Sequence, residues 1–195
     1  MAISSTGLAA ATAAVVLLTL PQPARALARA APPAACVPSG QDSRGRSSVD
    51  ASVIAWEDET VFDDARTYAV AQWTSGDLKK VRFRADTASE IADLEWKDTR
   101  SSAGDWKNTL ARWSGRPGTD TITMNTFYLD GRGTRGTTAH RRRVATHELG
   151  HALGFCHKDS ATLSSIMWAD NGEAAAYGID VVTDNDRAFY HRLWG

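Results

Sequence analysis

Three of the five histidines of this 195-residue chain lie within eleven residues, in the stretch HELGHALGFCH from His147 to His157. His147 and His151 are four residues apart, so a helix places both imidazoles on one face. Two nitrogens at that spacing can share one Zn²⁺, which prefers four tetrahedral ligands. Gly154 tolerates a left-handed backbone, so it can end the helix and return His157 to the same ion. The stretch predicts a helix, a sharp turn and three metal ligands.

Glu148 follows the first of these ligands and is predicted to lie beside the metal, not among its ligands. Three protein nitrogens leave the fourth position of a zinc ion open for water, which is typical of catalytic sites. A carboxylate next to that position can accept the proton of the water and deliver it to a leaving amine. The alternatives are satisfied structural histidines or a structural zinc with Cys156 as fourth ligand. Cys156 adjoins His157, however, and such neighbours rarely reach one metal together.

The stretch matches the pattern H-E-x-x-H-x-x-G-x-x-H at every fixed position. It resembles the metzincin zinc peptidases, and Met167 in SSIMW, ten residues after His157, resembles the Met-turn of that clan. Within the clan the chain is most similar to matrixins of bacterial type, through HELGHALGFCH, SSIMW, DDARTYAVAQW, DTITMN and the closing TDNDRAFYHRLWG. The resemblance covers about residues 52–195 and is specific from residue 144 onward.

The resemblance implies an α+β fold in which a twisted, mostly parallel sheet carries an active-site helix, a Met-turn and a C-terminal helix. It implies that Met167 packs beneath the metal without being a ligand. It also implies that substrate lies extended along the strand Asp120–Asn125 and that the loop 168–182 forms a wall of the pocket. These features are expectations from the family and not from the residue pattern itself.

The chain departs from the family in three respects. No histidine precedes His140, so the second, structural zinc of many animal matrixins has no ligand set here. Asp130-Gly131 is the one weak candidate for a calcium loop, and nothing else in the sequence supports a Ca²⁺ ion. Lys158 stands where matrixins usually have a small hydroxyl residue.

The spacing of apolar residues independently predicts an α+β domain. It indicates strands at 52–56, 79–86 and 91–98, a helix over 61–73, a loop over 98–120 and a strand over 120–129. A further helix is expected after a cap at Thr137 or Thr138, then a loop over 158–182 and a last helix capped by Thr183. On the first helix one face is predicted to be buried, with Phe62, Ala65, Ala69 and Trp73.

The N-terminus reads as a secretory signal. An apolar run from Leu8 to Leu20 is too short to span a bilayer and is followed by overlapping A-x-A sites up to Ala30. We therefore predict a signal peptide over residues 1–30, a Pro-, Gly- and Ser-rich leader over 31–50 and a zinc metallopeptidase domain over 51–195. The alternative for the first segment is an uncleaved anchor. Signal cleavage predicts a secreted, extracellular protein with no remaining membrane association.

Two cysteines, Cys36 and Cys156, are present. Export places the chain in an oxidising compartment, where an even number of cysteines first indicates a disulfide. We predict a Cys36–Cys156 bridge, with a pair of free thiols as the alternative.

The charge balance limits the classes of partner. The formal net charge is −1 and the basic run His140–Arg143 is short, so neither nucleic acid nor an anionic membrane is indicated. The function predicted is that of a secreted zinc-dependent endopeptidase, a monomer with one zinc ion, Glu148 as general base and a protein or peptide as substrate. The alternatives are a secreted zinc-binding module without turnover and a peptidase that acts on cell-wall peptides.

Overall fold

The computed structural model describes residues 46–158 and 164–195. The predicted signal peptide and Cys36 lie outside the described residues. The strands are β1 (Val53–Asp58), β2 (Arg82–Ala85), β3 (Leu94–Thr99), β4 (Ala111–Ser114) and β5 (Asp120–Asn125). The α-helices are α1 (Asp63–Trp73), α2 (Thr126–Leu129), α3 (Thr138–Ala152), α4 (Asn171–Ala176) and α5 (Asp184–Trp194), and Gly104–Trp106 forms a 3₁₀ turn.

The five strands form one sheet in the order β2-β1-β3-β5-β4. The pairs β1–β2, β1–β3 and β3–β5 are parallel, whereas β4 runs antiparallel to β5. The α+β class and the mostly parallel sheet are thereby confirmed. Because β4 lies at one end of the strand order, one of its two edges has no strand partner among the described residues.

The position of β5 corrects two predictions. This strand lies between β3 and β4, so both of its edges are already hydrogen-bonded. The prediction that substrate pairs with Asp120–Asn125 is therefore wrong, because no free edge remains there. The predicted strand over 120–129 is also too long: Thr126–Leu129 is helical, and the Asn125 side chain caps this turn by accepting a hydrogen bond from the Phe127 N–H.

Two predicted loops contain regular structure. The loop expected over 98–120 holds the 3₁₀ turn and the edge strand β4, and the loop expected over 158–182 holds α4. The predicted strand over 91–98 begins only at Leu94, and Ile91 is 80% exposed, so its assignment to a buried face is wrong. Leu94 and Trp96 are buried as the alternation predicts.

α1 packs directly on α3. Its predicted face is confirmed, because Phe62, Ala65, Ala69 and Trp73 are all buried. The Trp73 indole N–H donates to the carbonyl of Thr146 in α3 at 2.8 Å, and the ring stacks on Phe155 with centroids 5.2 Å apart. The indole thus satisfies its one polar atom while it fills the space under the helix.

The caps of α3 and α5 are those predicted. Thr137 accepts a hydrogen bond from the His140 N–H and begins α3. Thr183 begins α5 in a capping box, in which its hydroxyl accepts from the Asp186 N–H while the Asp186 carboxylate accepts from the Thr183 N–H. Both helices therefore begin at residues fixed by local sequence.

Gly150 allows α3 to lie close to the segment that follows the histidine stretch. A Cβ atom at this position would come within 2.3 Å of the Met167 sulfur and 3.0 Å of a Trp73 ring carbon. Met167 and Trp73 are fully buried, so neither side chain has open space into which it can move. This helix position consequently requires a residue without a side chain.

We expect Gly150→Ala to lower the free energy of unfolding by about 1–3 kcal/mol, because the added methyl group overpacks a closed contact. Denaturant titration measures the change. Ala139→Ser adds one atom at an exposed position of the same helix and should change stability by less than about 0.5 kcal/mol. Equal effects of the two substitutions would contradict the close contact at Gly150.

Candidate metal centre

The three predicted ligands come together at the C-terminal end of α3. His147 and His151 project from one face, with ring centroids 4.7 Å apart. Gly154 has a φ of 98° and its N–H donates to the His151 carbonyl at 2.9 Å, so the chain turns out of the helix where the sequence predicts. The turn returns His157, whose Nε2 lies 3.2 Å from Nε2 of His147 and 3.0 Å from Nε2 of His151.

The remaining ring nitrogens orient two of the ligands. Nδ1 of His147 lies 2.8 Å from the carbonyl oxygen of Ile166, and Nδ1 of His151 lies 2.8 Å from that of Phe155. A carbonyl oxygen only accepts hydrogen bonds, so in a neutral ring each Nδ1 carries the proton and each Nε2 keeps its lone pair. Both lone pairs are therefore available to a cation, and hydrogen bonds of this type commonly orient metal-bound histidines.

The distances fit a tetrahedral ion. Zinc–nitrogen bonds of about 2.0–2.1 Å at tetrahedral angles place two ligand nitrogens about 3.3 Å apart. The two measured Nε2–Nε2 distances, 3.2 and 3.0 Å, are close to that value. Among residues 46–158 and 164–195, this is the one group of three or more His, Cys, Asp or Glu side chains that could hold a metal ion.

The segment around Met167 is hydrogen-bonded to His147 and to the residue that follows His157. The carbonyl of Ile166 holds His147, and the carbonyl of Met167 accepts from the N–H of Lys158, next to His157, at 2.8 Å. Met167 itself is fully buried. Residues 166 and 167 thus fix one ligand directly and another through its chain neighbour.

Asp186 anchors that segment to α5 and was not identified as part of the site from the sequence. Its carboxylate accepts from the Ile166 N–H at 2.9 Å, from the Ser165 hydroxyl and from both the N–H and hydroxyl of Thr183. The side chain is buried, and burial raises the pKa of this carboxyl. The sequence predicted only Thr183 as the cap of this helix.

Glu148 and the three histidines line the same open cavity of about 800 Å³. The carboxylate is 6% exposed, and its Oε2 accepts from the backbone N–H of Trp113 at 2.6 Å. The cavity is lined by the three histidines, Glu148, residues 108–113, Arg135, His140, Ala169, Asp170 and Gly172. The half-buried His140, which the sequence did not assign to the site, has its pKa lowered by burial and by the nearby positive charges of Arg143 and Arg135.

The edge of β4 that faces away from β5 borders this cavity. The Leu110 carbonyl accepts from the Asn125 N–H, which turns the backbone of residue 110 toward β5. Backbone groups alternate along a strand, so those of Ala111 and Trp113 point to the opposite side. The hydrogen bond from Trp113 to Glu148 is consistent with this direction.

Two further predictions concern Cys156 and Asp130. Cys156 is buried, but Cys36 lies outside the described residues, so their disulfide stays a prediction. Asp130 is engaged by Arg100 at 3.1 Å and Arg132 at 3.6 Å, and the hydrogen bond from Arg100 holds the pKa of its carboxyl below the usual value. These contacts give no support to a calcium ion there.

Comparison of the chain with models of protein families and with curated protein sequences finds no match. In the part of the chain that the structure describes, no helix has the length and apolar character needed to cross a membrane.

We expect Zn²⁺ to stabilise the protein by about 2.7 kcal/mol when the free ion is present at a hundred times its dissociation constant. His157 is exposed, so His157→Ala should weaken zinc binding with little effect on the metal-free fold. Thermal melting with zinc and with a chelator, together with zinc content, measures both effects. His191→Ala is the control, because His191 pairs with Asp77 at the surface; equal zinc binding by the two variants would exclude His157 as a ligand.

Proposed function

We propose that this protein is a zinc-dependent endopeptidase that is exported from the cell. The observation that carries the proposal is the position of Glu148, which is buried and lines the same cavity as the three-histidine cluster. A protein that only binds metal has no need of a buried carboxylate that is not a ligand. The resemblance of the histidine stretch to the metzincins supports the same function.

His147, His151 and His157 would hold the ion through their Nε2 atoms. Zinc bound there would lower the pKa of a water molecule and polarise a substrate carbonyl. Glu148 would take the proton of the attacking water and then deliver it to the nitrogen of the leaving amine. The Trp113 N–H would hold the carboxylate at the place where it can perform both transfers.

The edge of β4 is suited to bind the substrate backbone. The backbone groups of Ala111 point toward the cavity, beside the Trp113 N–H that donates to Glu148, and an extended peptide can add to such an edge as another strand. Backbone pairing of this kind selects an extended conformation before it selects a side chain. The substrate class proposed is therefore an unfolded or flexible protein segment.

The direct test is the cleavage of casein, as an unfolded protein, by the mature chain and by Glu148→Gln. Loss of a general base typically lowers the rate by about 10²- to 10⁴-fold. We expect Glu148→Gln to lose cleavage to this extent and to keep its zinc, because Glu148 is not among the ligands. Cleavage products are followed by gel electrophoresis and zinc by atomic absorption.

Glu57→Gln is the matched control, since it makes the same chemical change at an exposed position of β1. This variant should retain both zinc and activity. If the parent holds zinc and cleaves neither casein nor a pool of extended peptides, the proposed peptidase is excluded. A zinc-binding module without turnover would then account for the histidine cluster.

A further inference from the structure

We propose that Ser48 is a positioning residue for Glu148, acting through Trp113. The inference rests on the proposed function, because it assigns Glu148 the role of base. Ser48 lies a hundred residues before Glu148 in the chain and in the part that the sequence predicts to be a leader. Its side chain is nevertheless 6% exposed and belongs to the hydrogen-bond network of the site.

The network runs through three consecutive contacts. The Ser48 hydroxyl donates to Oδ2 of Asp120 at 2.8 Å and accepts from the indole N–H of Trp113 at 3.0 Å. The backbone N–H of the same Trp113 donates to Glu148 at 2.6 Å. Ser48 thus binds the indole of Trp113, and the backbone N–H of Trp113 binds the carboxylate of Glu148.

The Ser48 end of the network is itself fixed. Its backbone N–H donates to the carbonyl of Ala152, the last residue of α3, at 2.7 Å. Asp120, 2% exposed, forms an ion pair with Arg46 and accepts from the Arg116 N–H at 2.8 Å. The Asp120 carboxylate therefore accepts the Ser48 hydroxyl proton at a fixed position. A lone pair of the hydroxyl oxygen is then directed at the indole N–H of Trp113.

Trp113 needs this support because β4 is short and lies at the edge of the sheet. Only four residues pair with β5, and the other edge faces the cavity. Gly115 leaves room for the indole and for Arg46, since a Cβ there would lie 2.9 Å from the ring and 2.6 Å from the Arg46 side chain. The hydrogen bond to Ser48 is the directional contact of the ring, and it bears on where the Trp113 N–H meets the carboxylate.

Ser48→Ala removes this hydrogen bond without touching the metal ligands. We expect kcat for a fluorogenic peptide to fall by about 10-fold or more, the size usual for loss of an outer-shell partner, with KM and zinc content unchanged. We also expect faster hydrogen exchange at the Trp113 backbone amide, measured by NMR. Trp113→Phe keeps a ring but deletes the indole N–H donor, and it should likewise lower kcat while KM stays unchanged.

Ser47→Ala is the matched control, because Ser47 is the neighbouring serine and its hydroxyl accepts from the Val49 N–H at 3.3 Å, a contact outside the network of Trp113 and Glu148. This variant should match the parent in kcat and in exchange. Unchanged kcat in Ser48→Ala, or a parallel loss of kcat, zinc and melting temperature in Ser47→Ala and Ser48→Ala, would overturn the proposal. If Ser48→Ala does not fold, an unchanged kcat in Trp113→Phe overturns it equally.

The amide exchange separates this proposal from the proposed function. It reports the contact between Trp113 and Glu148 whether or not any peptide is cleaved. If the parent cleaves nothing, the peptidase is excluded, while equal exchange at Trp113 in the parent and in Ser48→Ala would exclude the positioning role on its own.

Discussion

The site depends on two hydrogen bonds from ligand histidines to backbone carbonyls. The carbonyls of Ile166 and Phe155 each take an Nδ1 proton, which leaves the Nε2 lone pairs of His147 and His151 directed at one point. Buried imidazoles would otherwise need other polar partners in a helix that is buried along most of its length. The turn at Gly154 fixes the Phe155 carbonyl, and the carboxylate of Asp186 fixes the segment of Ile166. Both residues therefore influence the geometry of the candidate metal centre.

Those carbonyls are held by different parts of the chain. Phe155 follows the turn at Gly154 and is fixed locally, because its N–H donates to the Gly150 carbonyl at 3.0 Å and its ring stacks on Trp73. Ile166 is fixed from a distance, through the carboxylate of Asp186 in α5. The orientation of His151 thus depends on the turn that ends α3, and the orientation of His147 depends on the packing of α5.

The sequence predicted the features that depend on neighbouring residues. Helix caps at Thr137 and Thr183, the turn at Gly154 and the closeness of the three histidines all follow from local spacing, and the structure confirms them. The edge strand β4 was missed, because four residues between Gly- and Ser-rich segments give too short an alternation to distinguish from a loop. Thr183 was predicted as the cap of α5, but the contact of Asp186 with Ile166 joins residues twenty positions apart and leaves no local pattern.

The same distinction explains why a catalytic role of Glu148 is harder to predict than the closeness of the three histidines. A helix and one turn are enough to bring the histidines together, whereas the surroundings of Glu148 require α3, β4 and the segment at residues 46–48 to meet. A glutamate next to the first histidine can be recognised in the local sequence. The hydrogen bonds that fix the position of its buried carboxylate, however, come from residues far away in the chain. A histidine motif therefore predicts metal binding more directly than it predicts turnover, because turnover also needs a carboxylate whose position is fixed by distant parts of the chain.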